Sequence, residues 1–143
     1  MNGFLLDTNV ISELRKPQCH PGVQAWSDLQ PAGVLYLSAV TIAEIRFGIE
    51  QLPDPSRQAV LMLWLNEHLR RWFAGRILEV DEEVILEWRR MVGRGRAVGH
   101  TFSQPDLFIA ATASVHGLCV ATRNVRDFQI AQVAVYDPWS HLL

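Results

Sequence analysis

Gly3-Phe4-Leu5-Leu6-Asp7-Thr8-Asn9-Val10-Ile11 decides the fold. Phe4-Leu5-Leu6 is an apolar run too short for a helix and suited to a buried strand, and Asp7-Thr8-Asn9 supplies side chains that cap helix N-termini. A strand that hands straight over to a helix is half of a βαβ unit. The same handover recurs down the chain. Strands are predicted over 34–38, 76–80, 118–122 and 133–136. Helices are predicted over 10–15, 21–29, 56–73, 81–92 and 104–116, with another from Thr41 to the break at Pro53. Strands alternating with helices imply a parallel sheet covered on both faces, an α/β fold with four to five strands.

That topology gives three acids a common address. Asp7 closes the first strand, Glu44 lies within a turn of the start of the helix after the second, and Asp106 opens the helix before the fourth. Open α/β sheets bind ligands at the carboxyl edge of the strands, and Asp7, Glu44, Asp106 and the strand-end residue Asn124 all fall there. Each acid also has a structural explanation. Asp7 caps a helix, Glu44 is a solvated helix charge, and Ser103-Gln104-Pro105-Asp106 fits an S-x-x-D capping box. Taken together they are harder to explain that way, because gathered carboxylates repel unless a cation compensates them. Oxygen donors without histidine or cysteine select Mg²⁺ or Mn²⁺.

Composition removes other classes. With 143 residues, 49% apolar and 20% charged, the chain is expected to form one domain spanning 1–143. No window approaches the apolar stretch of about 18 residues that a membrane span needs. Nothing at the N-terminus reads as a signal peptide, so no membrane association and a cytoplasmic location are expected. Cys19 and Cys119 stand a hundred residues apart and give no zinc framework. Net charge is −2, which argues against a large basic surface, yet Arg89, Arg90, Arg94 and Arg96 cluster ahead of Asp106. Gly93, Gly95 and Gly99 make 94–101 read as a flexible, arginine-bearing loop. Residues 59–65 are apolar all the way round, which fits either a central core helix or one sharing faces between the core and a partner subunit.

Phosphoaspartate enzymes need a lysine late in the chain, and here the sole lysine is Lys16. No P-loop is present. What remains is metal-assisted hydrolysis of a phosphodiester.

Four segments carry a resemblance at this point: Leu5-Leu6-Asp7-Thr8-Asn9-Val10-Ile11-Ser12-Glu13, Leu37-Ser38-Ala39-Val40-Thr41-Ile42-Ala43-Glu44, Asp106-Leu107-Phe108-Ile109-Ala110-Ala111-Thr112-Ala113 and Ala121-Thr122-Arg123-Asn124-Val125-Arg126-Asp127-Phe128. In this order they resemble the signatures of PIN-domain ribonucleases, closest to the VapC/FitB group of toxins. The resemblance implies a three-layer α/β/α fold, a Mg²⁺- or Mn²⁺-dependent endoribonuclease, an RNA substrate, a homodimer or larger assembly, and an antitoxin of the VapB/FitA kind whose C-terminal segment blocks the acidic pocket. It implies that Asp7, Glu44 and Asp106 are catalytic metal ligands and that Thr8 and Thr122 place hydroxyls near them. Many relatives carry Asp where this chain has Asn124, which offers a carbonyl oxygen but no charge, so a second ion should bind more weakly. Asp127 reaches the same pocket if 124–128 forms a helical turn, and is otherwise a solvated turn residue. With RNA as substrate, Arg94, Arg96 and His100 are expected at the phosphates, or else in a solvated loop. Two other classes stay open, an inactive RNA-binding PIN module and a metal-dependent phosphatase.

Overall fold

A computed structural model describes residues 2–143. Five parallel strands form its sheet in the order β3-β2-β1-β4-β5. They are β1 (Phe4–Leu6), β2 (Leu35–Ser38), β3 (Ile77–Leu78), β4 (Cys119–Ala121) and β5 (Val135–Tyr136). The central strand, β1, pairs Leu5 with Tyr36 on one side and with Val120 on the other. The edge strands are two residues long, shorter than the apolar runs 76–80 and 133–136, which limits the open edge offered to other chains.

Side-chain alternation along the strands splits the core into two layers. Leu6, Leu35, Leu37 and Ala121 pack on one face against α1 (Thr8–Arg15), α2 (Pro21–Leu29), α3 (Ala39–Glu50) and the helical stretch that starts as α4 (Pro55–Trp64). That stretch continues through a π-helical segment, Leu65–Leu69, into α5 (Arg70–Trp72). Leu5 and Val120 pack on the opposite face against α6 (Glu82–Ala97), α7 (Gln104–His116) and α8 (Val125–Ile130). The helices change faces where the strand order reverses, between β1 with its earlier neighbours and β4. That reversal is the topological switch point of an open α/β sheet.

Three expectations need correction. The first half of the predicted loop 94–101 is helix, because α6 runs on to Ala97 and carries Gly93, Arg94, Gly95 and Arg96, and only 98–101 is turn or irregular. Gly95 is there for close packing rather than flexibility: a Cβ on it would lie 2.6 Å from the Phe102 ring and 2.9 Å from the His100 carbonyl. The run 59–65 is not a central core helix either. Leu65, Leu69 and Phe73 are buried, while Val60 and Leu63 are 66% and 61% exposed. Finally, α3 begins at Ala39, capped by the Ser38 hydroxyl on the Val40 N–H at 3.0 Å, so Glu44 sits in its second turn.

Candidate active site

Asp7 follows β1 directly and does two jobs. One oxygen, Oδ1, accepts the Thr8 N–H at 2.8 Å and caps α1. The other, Oδ2, accepts the Thr122 hydroxyl at 2.8 Å and the Asn9 amide at 3.4 Å. Thr122 lies just past β4 and is wholly buried, and its hydroxyl also accepts from Asn9 Nδ2 at 3.2 Å and from the Asn124 N–H at 2.9 Å. One donated and two accepted bonds use its full capacity. Thr122 is therefore an internal brace for Asp7 and does not reach the cavity surface.

Glu44 approaches from α3, with Oε1 3.5 Å from the Thr8 hydroxyl. Asp106 comes from the first turn of α7. The predicted capping box does not form, since Ser103 makes no side-chain cap bond, and the Asp106 carboxylate instead accepts Asn124 Nδ2 at 3.3 Å. The same amide nitrogen donates to Asp127 Oδ2 at 3.2 Å. Residues 125–130 do form a helical turn, α8, and Asp127 leans toward the acids as its position in that turn allows.

Asp7, Thr8, Glu44, Asp106 and Asn124 line one open cavity, together with Asn9, Lys16, Arg123 and Trp139. None of the last four was singled out as a site residue by the sequence. Asn9 had a role as a cap, Lys16 ends a short helix, and Trp139 reads only as part of the stop after the last strand. Arg123 was legible only as the neighbour of two implied site residues. Its guanidinium lies 5.2 Å from the Trp139 ring, a cation–π contact beside the cavity.

Arg94, Arg96 and His100 stand elsewhere. Arg94 approaches Glu87 at 3.8 Å. Arg96 and His100 line a separate cavity with Phe102 and Gln104. His100 packs edge-on against Phe102, with Nε2 3.7 Å from Asp127, so it stands behind that carboxylate.

The electrostatics follow from crowding. Burial raises the pKa of Asp7 even though its hydrogen bonds oppose it. Burial and then the Asp7 charge raise that of Glu44. Asp106 is pushed up to about 6 by burial and then by the charges of Asp7, Asp127 and Glu44, with the Asn124 bond opposing. Among the described residues none of the three is ion-paired. Nor do any three acidic, histidine or cysteine side chains close around a single point. The donor set nevertheless fits a hard cation. It is all oxygen and free of ion pairs among the described residues, and the cavity is open enough for water to complete the shell, as Mg²⁺ prefers. Asp7, Glu44 and Asp106 are the residues that could hold it.

Known proteins match this arrangement over nearly its whole length. The family model described as PIN domain matches residues 4–134. The VapC ribonuclease Y4jK of Sinorhizobium fredii is 38% identical over 136 residues, 95% of this chain and 97% of that protein. Toxin FitB of Neisseria gonorrhoeae is 42% identical over 136 residues, 95% of this chain and 98% of that one. The crystal structure of FitAcB from Neisseria gonorrhoeae superposes with a TM-score of 0.90 at 42% identity, covering 96% of this chain and 99% of that chain.

Proposed function

This chain belongs to the PIN-domain family, and from that premise we propose that it is a divalent-metal-dependent endoribonuclease, the toxin of a toxin–antitoxin pair, acting on RNA in the cytoplasm. The observation that carries the reading is the gathering of Asp7, Glu44 and Asp106, without ion pairs among the described residues, on one cavity at the switch point of the sheet.

Bound there, Mg²⁺ or Mn²⁺ would supply Lewis acidity toward a phosphate and acidify water. The chain's own contribution is placement. Thr122 and Asn9 fix the Asp7 carboxylate in one orientation, so that ligand enters the site without a side-chain rearrangement. Thr8 sits between Asp7 and Glu44 and steadies the Glu44 carboxylate. Arg123, on the cavity wall, is the cation placed to take a phosphate of a bound strand, whereas Lys16 beside it is paired with Glu13 at 3.2 Å. Glu44 and Asp106 approach from α3 and α7, on opposite layers, so both layers must be in place for the site to exist.

Partner binding is supported by surface chemistry. Phe47, Val60 and Leu63 are each more than 60% exposed on α3 and α4, and Trp72 is 39% exposed on α5. An antitoxin and a second copy of the chain would cover apolar surface of this kind.

Cleavage of RNA by purified wild type and by Asp7→Asn, with Mg²⁺ and with EDTA, tests the activity. Asp7→Asn should lose at least ~100-fold in rate with its circular dichroism unchanged, and EDTA should do the same to wild type. Unimpaired metal-dependent cleavage by the variant would sink the reading.

A further inference from the structure

Asn124 is placed differently from a ligand that offers its carbonyl oxygen. Its Nδ2 lies 3.3 Å from Asp106 Oδ2 and 3.2 Å from Asp127 Oδ2, which assigns one amide hydrogen to each carboxylate. The reverse orientation would set a carbonyl oxygen against two carboxylate oxygens, so the electrostatics fix the rotamer. The residue is held from its other side as well, because its backbone N–H donates to the buried Thr122 hydroxyl at 2.9 Å, and that hydroxyl donates to Asp7. A single run of hydrogen bonds thus joins Asp7 through Thr122 and Asn124 to both Asp106 and Asp127. On the outer side of Asp127 stands His100, whose Nε2 is 3.7 Å away, beyond hydrogen-bond reach.

We infer that the Asn124 amide occupies the place a second cation would fill, bridging Asp106 and Asp127. Asp127 is then a partner of the amide, not a metal ligand. Asn124 is a positioning residue that aims Asp106 at the cavity. The inference rests on the reading of Asp7, Glu44 and Asp106 as a metal centre. It differs from that reading in what it requires of Asn124. An aspartate at this position would place a third carboxylate between two others and would need a cation to offset it. An alanine would leave Asp106 and Asp127 facing each other unbridged.

Thermal melts at pH 8 in EDTA, repeated with Mn²⁺ in place of EDTA, test this on the full chain. In EDTA, Asn124→Asp should melt at least about 4 °C below wild type, with Asn124→Ala in between. Adding Asp127→Asn to Asn124→Asp should recover most of the loss. Mn²⁺ should raise the melting temperature of Asn124→Asp by more than it raises that of wild type. Either chelated variant melting with wild type, a loss that Asp127→Asn does not recover, or equal Mn²⁺ responses would overturn the inference. A wild type unresponsive to Mn²⁺ beside an Asn124→Asp that responds would instead overturn the metal centre and leave the amide bridge standing.

Discussion

Asp7 and Asp106 face the same cavity from different layers of the molecule, and the protein treats them differently. Asp7 is 5% exposed and takes three internal donors, from Thr8, Thr122 and Asn9, so its charge is solvated by the scaffold. Asp106 is half-buried, takes one donor from Asn124, and meets the fields of three other carboxylates. The first acid is anchored for structural reasons as well as functional ones, since it also caps α1. The second is held in an unfavourable state that a cation would relieve. The acidic cavity therefore has a rigid half and an electrostatically loaded half.

The largest effect should come from loosening the rigid half. Thr122→Val keeps the side-chain shape but removes the hydroxyl that donates to Asp7 and strands the Asn124 N–H. It should cost roughly 1–3 kcal/mol in urea unfolding and cut RNA cleavage strongly although Thr122 is buried away from any substrate. Loss of stability without loss of cleavage would break the comparison by showing that Asp7 needs no brace.

An effect of opposite sign is expected from the loaded half. Asp106 has a folded pKa of about 6 against an ordinary value of 3.8. Between those values the folded state binds more protons than the unfolded one, so stability from this group is present below about 3.8 and is lost as pH rises through about 6. In EDTA, Asp106→Asn should therefore melt above wild type at pH 8, with the gap closing by pH 4. A variant that melts below wild type at pH 8 would show that the crowding is already compensated within the chain.

A smaller effect separates the cations. Arg123→Ala should weaken RNA binding and lower the magnitude of the salt slope by about 0.7, the single-strand value per phosphate contact. Arg94→Ala with Arg96→Ala should leave both unchanged, because those side chains stand outside the acidic cavity.

Most of this was legible in residue order. Leu5-Leu6-Asp7 reads as a strand running into a cap, Glu44 follows a second such handover, and Asp106 opens the helix that runs back to β4, so the order of elements alone brings the three acids to one edge. Helical spacing left Asp127 open between the pocket and a solvated turn, and the structure places it against the Asn124 amide rather than on the cavity wall. The loop reading of 94–101 holds for 98–101 and fails for 94–97, where glycine does not mark freedom. Gly95 is required by the Phe102 ring crossing α6, a contact made by a residue seven positions later that local pattern does not reveal. The resemblance implied a Thr122 hydroxyl near the acids, and its bond to Asp7 at 2.8 Å is of that kind, but only the structure shows that this hydroxyl is spent internally. Lys16, Arg123 and Trp139 come together from three distant segments, which periodicity cannot anticipate.

We propose that Asp106 and Asp7 share a cation with Glu44. Calorimetric titration of Mn²⁺ into wild type and into Asp106→Asn, both in metal-free buffer at pH 8, tests it most directly. Binding to wild type that weakens at least ~10-fold in the variant is the predicted result, in keeping with the loss of a charged ligand. Equal affinity in the two proteins would contradict it.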